Sequence, residues 1–312
     1  MPVSLILDTD IGTDVDDALA LAFALRHPAL SLRAVTTVSG DTHRRARIAA
    51  KLLRLAGRDD IEVAAGLDAP IPPGRIAWRG DEGDGLLSPE EQLPISKRTA
   101  VDVLLQTSRS SGSEAVGHAA GAPGIEVATV GMQSNVAAAV AADEGFASRV
   151  GRLAVMGGVF AAQPRFSPAD DHNLNADPPG AVAALNAGMR MLFVPGNVTV
   201  QTFLLDRHLA RLRSGDALCR ALATLTDRWA PILRRQSRGL HAGQVAALHD
   251  PLTVACMVER GFVQTAILPV TVALHGGLVR TFVDPVSGAD AEVVTAVDAE
   301  GFADYLLDVL LT

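Results

Sequence analysis

The N-terminal part of the chain alternates short apolar runs with helical segments. Residues 3–7 and 32–38 are predicted strands, and each is followed by a polar turn and then by a predicted helix, at residues 18–25 and 44–55. Strands and helices that alternate at this spacing form βαβ units with parallel strands and right-handed crossovers. The sequence therefore predicts an α/β fold whose polar loops gather at the C-terminal ends of the strands.

The same pattern continues along the chain without an interdomain linker. Further strands are predicted at residues 61–64, 125–130, 152–156 and 191–194, further helices at 99–108, 216–235 and 252–258, and strands around a Gly276-Gly277 turn within 265–297. We expect one domain over residues 1–312, with an open, mostly parallel, Rossmann-like sheet flanked by helices. Residues 66–94 are rich in Pro, Gly and Asp, which predicts a long, lid-like loop.

Composition limits the classes of partner. A chain of 312 residues with 48% hydrophobic residues can bury a large core, and its net charge of −8 argues against binding to nucleic acid. The sequence contains neither an apolar run long enough to span a membrane nor the features of a signal peptide, so we expect a cytoplasmic protein that does not bind membranes. Its two cysteines, Cys219 and Cys256, are too isolated for a thiolate metal site. A small-molecule substrate fits these features best.

Five carboxylates are concentrated in one short segment. They follow the first predicted strand directly, as Asp8, Asp10, Asp14, Asp16 and Asp17. Like charges this close raise one another's pKa unless a cation is present, and oxygen-only ligands favour Ca²⁺ or Mg²⁺ over zinc. The alternative is an exposed acidic turn that also favours the start of the next helix.

Two other polar segments stand at predicted helix starts. His249, Asp250 and Pro251 open one helix, and residues 171–178 precede a helix at 180–185. For each segment the simpler interpretation is helix capping, with Asp250 as an N-cap residue.

Together, these three segments resemble the inosine-uridine nucleoside hydrolase family, whose aspartate-rich motif, central Asn-containing loop and His-Asp-Pro helix start occur here in the same order. The resemblance spans most of the chain, although the central loop departs from the family's usual Glu-Phe-Asn or Glu-His-Asn. It implies hydrolysis of the N-glycosidic bond of ribonucleosides to ribose and free base, in nucleoside salvage. It also implies a homodimer or homotetramer.

The resemblance further implies a bound Ca²⁺. Its ligands would be Asp10, Asp17, Asp250 and a main-chain carbonyl at Ser134, where the family usually has Thr. The same ion would hold the ribose 2′- and 3′-hydroxyls and the attacking water.

The resemblance also assigns catalytic roles. This acidic motif is two residues longer than the family's short form, so either Asp14 or Asp16 could be the general base; aligning the Asp-Asp pair selects Asp16. Attack opposite the leaving base predicts inversion through an oxocarbenium-like transition state. His249 is the best candidate to protonate the leaving base, and a structural role is the alternative.

Substrate binding is assigned to a set of polar residues. Asn173 matches the ribose-binding asparagine, Asp171 the neighbouring glutamate, and Asp41 an asparagine in the second loop, while Asp16 and Asp250 also face the ribose. These five positions form the predicted ribose site.

Three other residues bear on specificity. Arg165 stands near a position where many family members carry a ribose-contacting asparagine, and it is either a surface residue or a contact for an anionic group at C5′. Trp78 and Trp229 either stack on the base or pack in the core or lid. The lid lacks the family's His-Gly pair, and the preference for purine or pyrimidine stays open.

Two competing functions remain. The strand followed by Asp8-Thr9-Asp10 looks like the nucleophile motif of haloacid-dehalogenase-type phosphatases, but Gly12 replaces the expected Thr or Val, and no lysine follows Lys97. The other alternative is a homologue that binds a nucleoside or ribose without hydrolysing it, since Asp41, Asp171 and Arg165 depart from the family pattern.

Overall fold

The computed structural model describes residues 1–68, 82–114, 124–160, 171–236 and 240–312. The strands in these residues are β1 (Val3–Thr9), β2 (Leu30–Thr37), β3 (Glu62–Ala65), β4 (Ile125–Thr129), β5 (Val150–Met156), β6 (Met191–Val194), β7 (Phe203–Leu205), β8 (Gln244–Ala247), β9 (Val263–His275), β10 (Leu278–Val283) and β11 (Ala289–Val297). The helices are α1 (Asp16–Arg26), α2 (Thr42–Leu55), α3 (Ala100–Glu114), α4 (Ser134–Ala142), α5 (Phe146–Arg149), α6 (His172–Ala176), α7 (Pro178–Leu185), α8 (Gly196–Thr199), α9 (Asp206–Arg213), α10 (Ala217–Gln236), α11 (His249–Ala255) and α12 (Ala299–Leu310).

A large sheet organises the described residues. Its strand order is β10-β9-β11-β6-β5-β4-β1-β2-β3, and β7 pairs separately with β8. Neighbouring strands from β11 to β3 are parallel, whereas β9 pairs antiparallel with both β10 and β11. The predicted α/β fold with an open, mostly parallel sheet is confirmed.

Both faces of the parallel part of the sheet are largely buried, which explains why its strands are continuous apolar runs, whereas the antiparallel strands β9 and β10 are partly exposed. Successive side chains of β1 alternate between the faces: Leu5 and Leu7 belong to one hydrophobic cluster, and Ile6 belongs to the other. Fully burying a side chain of this size contributes about 1.5–3 kcal/mol. The sheet is therefore a rigid base for the loops at its edge.

The strand order reverses between β1 and β4. From this point β2 and β3 follow on one side, and β5 and β6 follow on the other. In open α/β sheets the crevice at such a reversal, outside the C-terminal ends of the strands, is the usual ligand site. The acidic segment comes directly after β1, so the topology carries it to this crevice.

Several predicted boundaries differ from the observed ones. Helix α11 begins at His249 rather than at residue 252, and α1 begins at Asp16 rather than at residue 18. Within the described ranges, no helix is long and apolar enough to cross a membrane. Trp78, Arg165 and the central part of the predicted lid lie outside the described residues.

Candidate active site

A cavity of about 290 Å³ lies at the reversal point of the sheet. Residues that follow or end four parallel strands contribute to its lining: Asp10, Val130, Met156 and Gly196. Aspartates from two separate segments also line it: Asp14, Asp16, Asp17 and Asp250. Apolar residues complete much of the lining: Val200, Trp229, Leu233 and Ala247. The cavity thus combines an acidic part with an apolar part.

Three aspartates converge within the acidic part. One carboxylate oxygen each from Asp14, Asp16 and Asp17 lies within 4.8 Å of the other two. Asp16 and Asp17 are only 3% and 2% exposed. The interpretation of this segment as an exposed acidic turn is therefore wrong.

Local backbone structure directs these side chains inward. Helix α1 begins at Asp16, so its first turn carries the carboxylates of Asp16 and Asp17 at the positive end of the helix. The N-cap residue, Val15, makes no side-chain capping bond. Gly12 has φ +128°, and a Cβ at this position would lie 2.5 Å from Cδ1 of Ile48. The chain can follow this path only with glycine at residue 12.

Burial and mutual repulsion govern the electrostatics of the cluster. Burial raises the pKa of Asp16 well above its usual range, and the charges of Asp14 and Asp17 raise it further. Burial raises the pKa of Asp17 and of Asp250 in the same way, with additional repulsion from the neighbouring aspartates. A cation among these carboxylates would relieve both effects.

The donor set fits a hard divalent metal. All the candidate side-chain donors are carboxylates, and Oδ1 of Asp16 is buried without a hydrogen-bond partner among the described residues. Buried polar atoms almost always have a partner, so an orphaned carboxylate oxygen in an acidic cluster indicates a site for an ion or for a bound water. Oxygen ligands of this kind suit Ca²⁺ or Mg²⁺.

The predicted metal ligands are only partly brought together. Asp10, Asp17 and Asp250 line the same cavity. Asp250 is buried in the first turn of α11, whose N-cap residue is Leu248, so the interpretation of Asp250 as an N-cap is wrong. Ser134 opens α4, and its hydroxyl donates to Asp177 at 2.5 Å.

Two predicted ribose residues lie in the cavity wall. The Nδ2 amide of Asn173 donates to the carbonyls of Val130 at 2.7 Å and Met156 at 3.2 Å. Asp171 caps α6, with Oδ1 accepting from the N–H of Leu174 at 3.1 Å. Its other oxygen accepts from a second backbone N–H, so its carboxylate fixes the backbone of this loop.

Asp41 is placed elsewhere. Its carboxylate caps α2 by accepting from the N–H of Arg44 at 2.9 Å. It lines a separate cavity of about 440 Å³ together with His43 and Arg47. The structure does not bring Asp41 into the lining of the acidic cavity.

His249 has a partner that sequence reasoning missed. Its Nδ1 lies 2.7 Å from the hydroxyl of Thr199, which is fully buried at the end of α8. Burial lowers the pKa of His249, and the charge of Asp14 opposes this effect. The only sequence signal for Thr199 is its position just after a buried strand, at the edge where the other polar loops gather.

The comparisons with known proteins bear on this site. The sequence profile described as inosine-uridine preferring nucleoside hydrolase matches residues 5–304. The chain belongs to this family. As a nucleoside hydrolase, it is an enzyme that cleaves the N-glycosidic bond of ribonucleosides.

This nucleoside hydrolase has curated relatives and solved structures of full length. It is 29% identical to a pyrimidine-specific ribonucleoside hydrolase RihA of Enterobacter sp. (strain 638), over 99% of this chain and 97% of that one. The structure of the plant nucleoside hydrolase PpNRh1 superposes with a TM-score of 0.81 and 28% identity, covering 100% of both chains. A purine-preferring ribonucleoside hydrolase from Gardnerella vaginalis, at 24% identity, has the same fold with a TM-score of 0.78, covering 98% of each chain.

Proposed function

We propose that this nucleoside hydrolase is calcium-dependent and that it releases ribose and free base from ribonucleosides for nucleoside salvage. One observation carries the proposal: buried carboxylates from two distant segments share a cavity with His249 and Asn173 at the reversal point of the sheet. Self-repelling carboxylates in a buried site have no obvious packing purpose, whereas a cation and a polyhydroxylated sugar would satisfy them.

The ion would be held by Asp10, Asp17 and Asp250, with the main-chain carbonyl of Ser134 as a proposed fourth ligand. When bound, Ca²⁺ would orient the ribose hydroxyls and lower the pKa of a coordinated water. Asp14 belongs to the same tight cluster, so it is an additional candidate for contact with the ion.

Asp16 is the proposed general base. Its unpartnered Oδ1 can accept a proton from a water that attacks C1′ of the ribose. Positive charge develops on the sugar ring as the glycosidic bond breaks, and the surrounding carboxylates would stabilise it. Attack from the side opposite the leaving base would invert the configuration at C1′.

Asn173 is the proposed ribose contact of the central loop. Because its amide nitrogen donates to backbone carbonyls, its amide oxygen is the atom that can accept from a sugar hydroxyl. The two backbone bonds to Asp171 support a role in shaping this wall, in addition to its proposed ribose contact. Asp41 would reach the ribose only if its loop moved, because its carboxylate caps α2.

The leaving base is assigned to the apolar part of the cavity. Trp229 and Leu233 on α10 provide flat and aliphatic surface, and His249 lines the same cavity as the proposed proton donor. The relatives include enzymes named for pyrimidine and for purine nucleosides, so we propose ribonucleosides as the substrate class.

The proposal is tested by measuring free ribose released from purine and pyrimidine nucleosides and their 5′-nucleotides. The wild type is measured with chelator and after addition of Ca²⁺ or Mg²⁺, beside Asp16→Asn. Asp59→Asn, which changes an exposed carboxylate paired with Arg54, is the matched control. We expect chelator-sensitive release that Ca²⁺ restores, that Asp16→Asn abolishes and that Asp59→Asn leaves unchanged. Calcium-dependent nucleoside binding without ribose release would instead establish a binding-only protein.

A further inference from the structure

A buried arginine lies beneath the acidic segment. Arg45, on α2, is only 2% exposed and is the largest fully buried side chain of the described residues. Its Nη1 donates to the carbonyls of Asp10 and Ile11, the latter at 3.0 Å, and its Nη2 donates to the hydroxyl of Thr13 at 3.2 Å. Its Nε donates to the carbonyl of Ser39 at 2.7 Å. One guanidinium thus binds residues 10, 11 and 13 of the acidic segment and Ser39 after β2.

The same segment also packs closely against Ile48 and Glu82. Ile11 is fully buried, and a Cβ at Gly12 would lie 3.2 Å from Cβ of Glu82 as well as against Ile48. The carboxylate of Glu82 lies 3.8 Å from Nη2 of Arg45. Residues 10–13 are therefore packed against both α2 and Glu82, and Arg45 contacts both the segment and Glu82.

A buried guanidinium is unfavourable unless its donors are satisfied, and its planar, rigid fork fixes the positions of the acceptors. Here two of the acceptors are backbone carbonyls of the segment that carries Asp10 and leads to Asp14, and a third is the hydroxyl of Thr13 in the same segment. Lysine carries the same charge but has no fork, so it cannot hold several carbonyls in one plane. The geometry of the acidic segment therefore depends on the shape of the arginine side chain.

We propose that Arg45 is a positioning residue for the cation site: its guanidinium fixes residues 10–13 so that Asp10 and Asp14 line the same cavity as Asp17 and Asp250, and Glu82 orients the guanidinium. The proposal deepens the proposed function, since it rests on that function's cation site. It assigns Arg45 no contact with the nucleoside.

The test is the affinity of the purified protein for Ca²⁺, measured by isothermal titration calorimetry without nucleoside. The variants are Arg45→Lys, which keeps the charge, and Arg45→Met, which removes it. The matched control is Arg47→Met, because Arg47 on the same helix donates to carbonyls of Ser88 and Glu91 rather than to the acidic segment. Loss of groups that orient metal ligands typically weakens metal affinity by about 10- to 100-fold. We expect both Arg45 variants to show a loss of this size and Arg47→Met to bind as the wild type does.

Two outcomes would overturn the proposal. Wild-type affinity in Arg45→Lys would mean that only the charge matters, and tighter binding by Arg45→Met would mean that Arg45 merely competes with the cation. If neither Arg45 variant folds, as judged by far-ultraviolet circular dichroism, Glu82→Gln decides: a severalfold loss of Ca²⁺ affinity supports the proposal, and unchanged affinity overturns it. The Ca²⁺ titration contains no nucleoside, so its result does not depend on catalysis. A wild type that binds Ca²⁺ here but releases no ribose in the activity assay would refute the proposed function and leave this proposal standing.

Discussion

The hydroxyl of Thr199 lies 2.7 Å from Nδ1 of His249, and its other neighbour, the carbonyl of Gly196, is at 3.4 Å. The hydroxyl has one proton, and with the carbonyl of Gly196 as its acceptor, its oxygen is left to accept from Nδ1–H of His249. A protonated imidazole has an N–H on both ring nitrogens, so this contact satisfies one of them and leaves the Nε2–H as the second donor. The protonated form is the one that can give a proton to a departing base.

Thr199→Val should therefore impair the departure of poor leaving groups. The substitution preserves the shape of the side chain and removes the hydroxyl, so we expect the kcat for inosine and uridine to fall by about 10- to 100-fold. This is less than the roughly 10²- to 10⁴-fold contribution of a general acid, because Thr199 supports the acid and does not itself donate the proton to the base. The kcat for p-nitrophenyl riboside should change little, because p-nitrophenolate departs without a proton. Thr199→Ser, which keeps the hydroxyl, is the control. Equal losses on both kinds of substrate would show that Thr199 only supports the fold.

Asp16→Asn should separate catalysis from metal binding. Removal of a general base lowers the rate by about 10²- to 10⁴-fold, so ribose release should fall by that factor while the Kd for Ca²⁺ changes far less. Asp17→Asn should instead weaken Ca²⁺ binding directly. Steady-state ribose release and calorimetric Ca²⁺ titration of both variants provide the comparison. If Asp14→Asn loses more activity than Asp16→Asn at saturating Ca²⁺, then Asp14 is the base.

Removal of the cation should destabilise the fold. Burial and repulsion raise the pKa of Asp17 and of Asp250, and a bound cation relieves this repulsion only in the native state. Ca²⁺ at about 100 times its Kd should stabilise the native state by about 2.7 kcal/mol. Thermal unfolding by calorimetry, in excess chelator and in Ca²⁺, should therefore show a higher midpoint with Ca²⁺. Identical midpoints in the two conditions would argue against a resident cation, and Asp17→Asn should lose most of the shift.

Sequence reasoning could identify the fold because apolar runs and helices alternate from residue 3 onwards. It could also identify the acidic segment, because five aspartates in ten residues do not occur by helix preference alone. It could not find Arg45 or Thr199. Each is an ordinary residue in a local pattern, and its role comes from a contact with a segment 34 or 50 residues away.

The helix-capping interpretations had mixed outcomes for a physical reason. Asp171 and Asp177 do cap short helices, as a polar residue before a helix usually does. Asp250 does not, because α11 starts one residue before it and its side chain falls in the first turn. A shift of one residue at a helix start turns a capping side chain into one that lines the cavity, and sequence patterns do not resolve boundaries so finely.

Acid should destabilise the protein through His208, which is not among the residues that line the acidic cavity. His208 is 1% exposed, its Nδ1 accepts from the N–H of Leu205 at 3.2 Å, and its Nε2 lies 2.8 Å from Asp304. Burial lowers its pKa from the ordinary value of 6.5. Below that value the unfolded chain binds a proton that the native state does not, so stability falls as the pH falls.

The measurement is the free energy of unfolding of wild type and His208→Gln, in the same chelator-containing buffers, between about pH 7 and pH 5. The acidic cluster contributes equally to both proteins, so the difference between them isolates His208. We expect the wild type to lose more stability on acidification than the variant. Parallel curves would mean that His208 titrates alike in both states.

Trp229 should report directly on the leaving base. It is 7% exposed on α10 and lines the cavity together with Leu233, so it either stacks on the base or only fills the wall.

The chain has two tryptophans, and Trp78→Phe therefore leaves Trp229 as the single source of indole fluorescence. In the slow Asp16→Asn background, titration with a nucleoside should quench this fluorescence with the Kd of binding, while ribose alone should quench it little. Trp229→Leu should raise KM for nucleosides more than it lowers kcat, since stacking on the base acts in the ground state as well as in the transition state. Binding without a change in fluorescence would assign Trp229 to the wall alone.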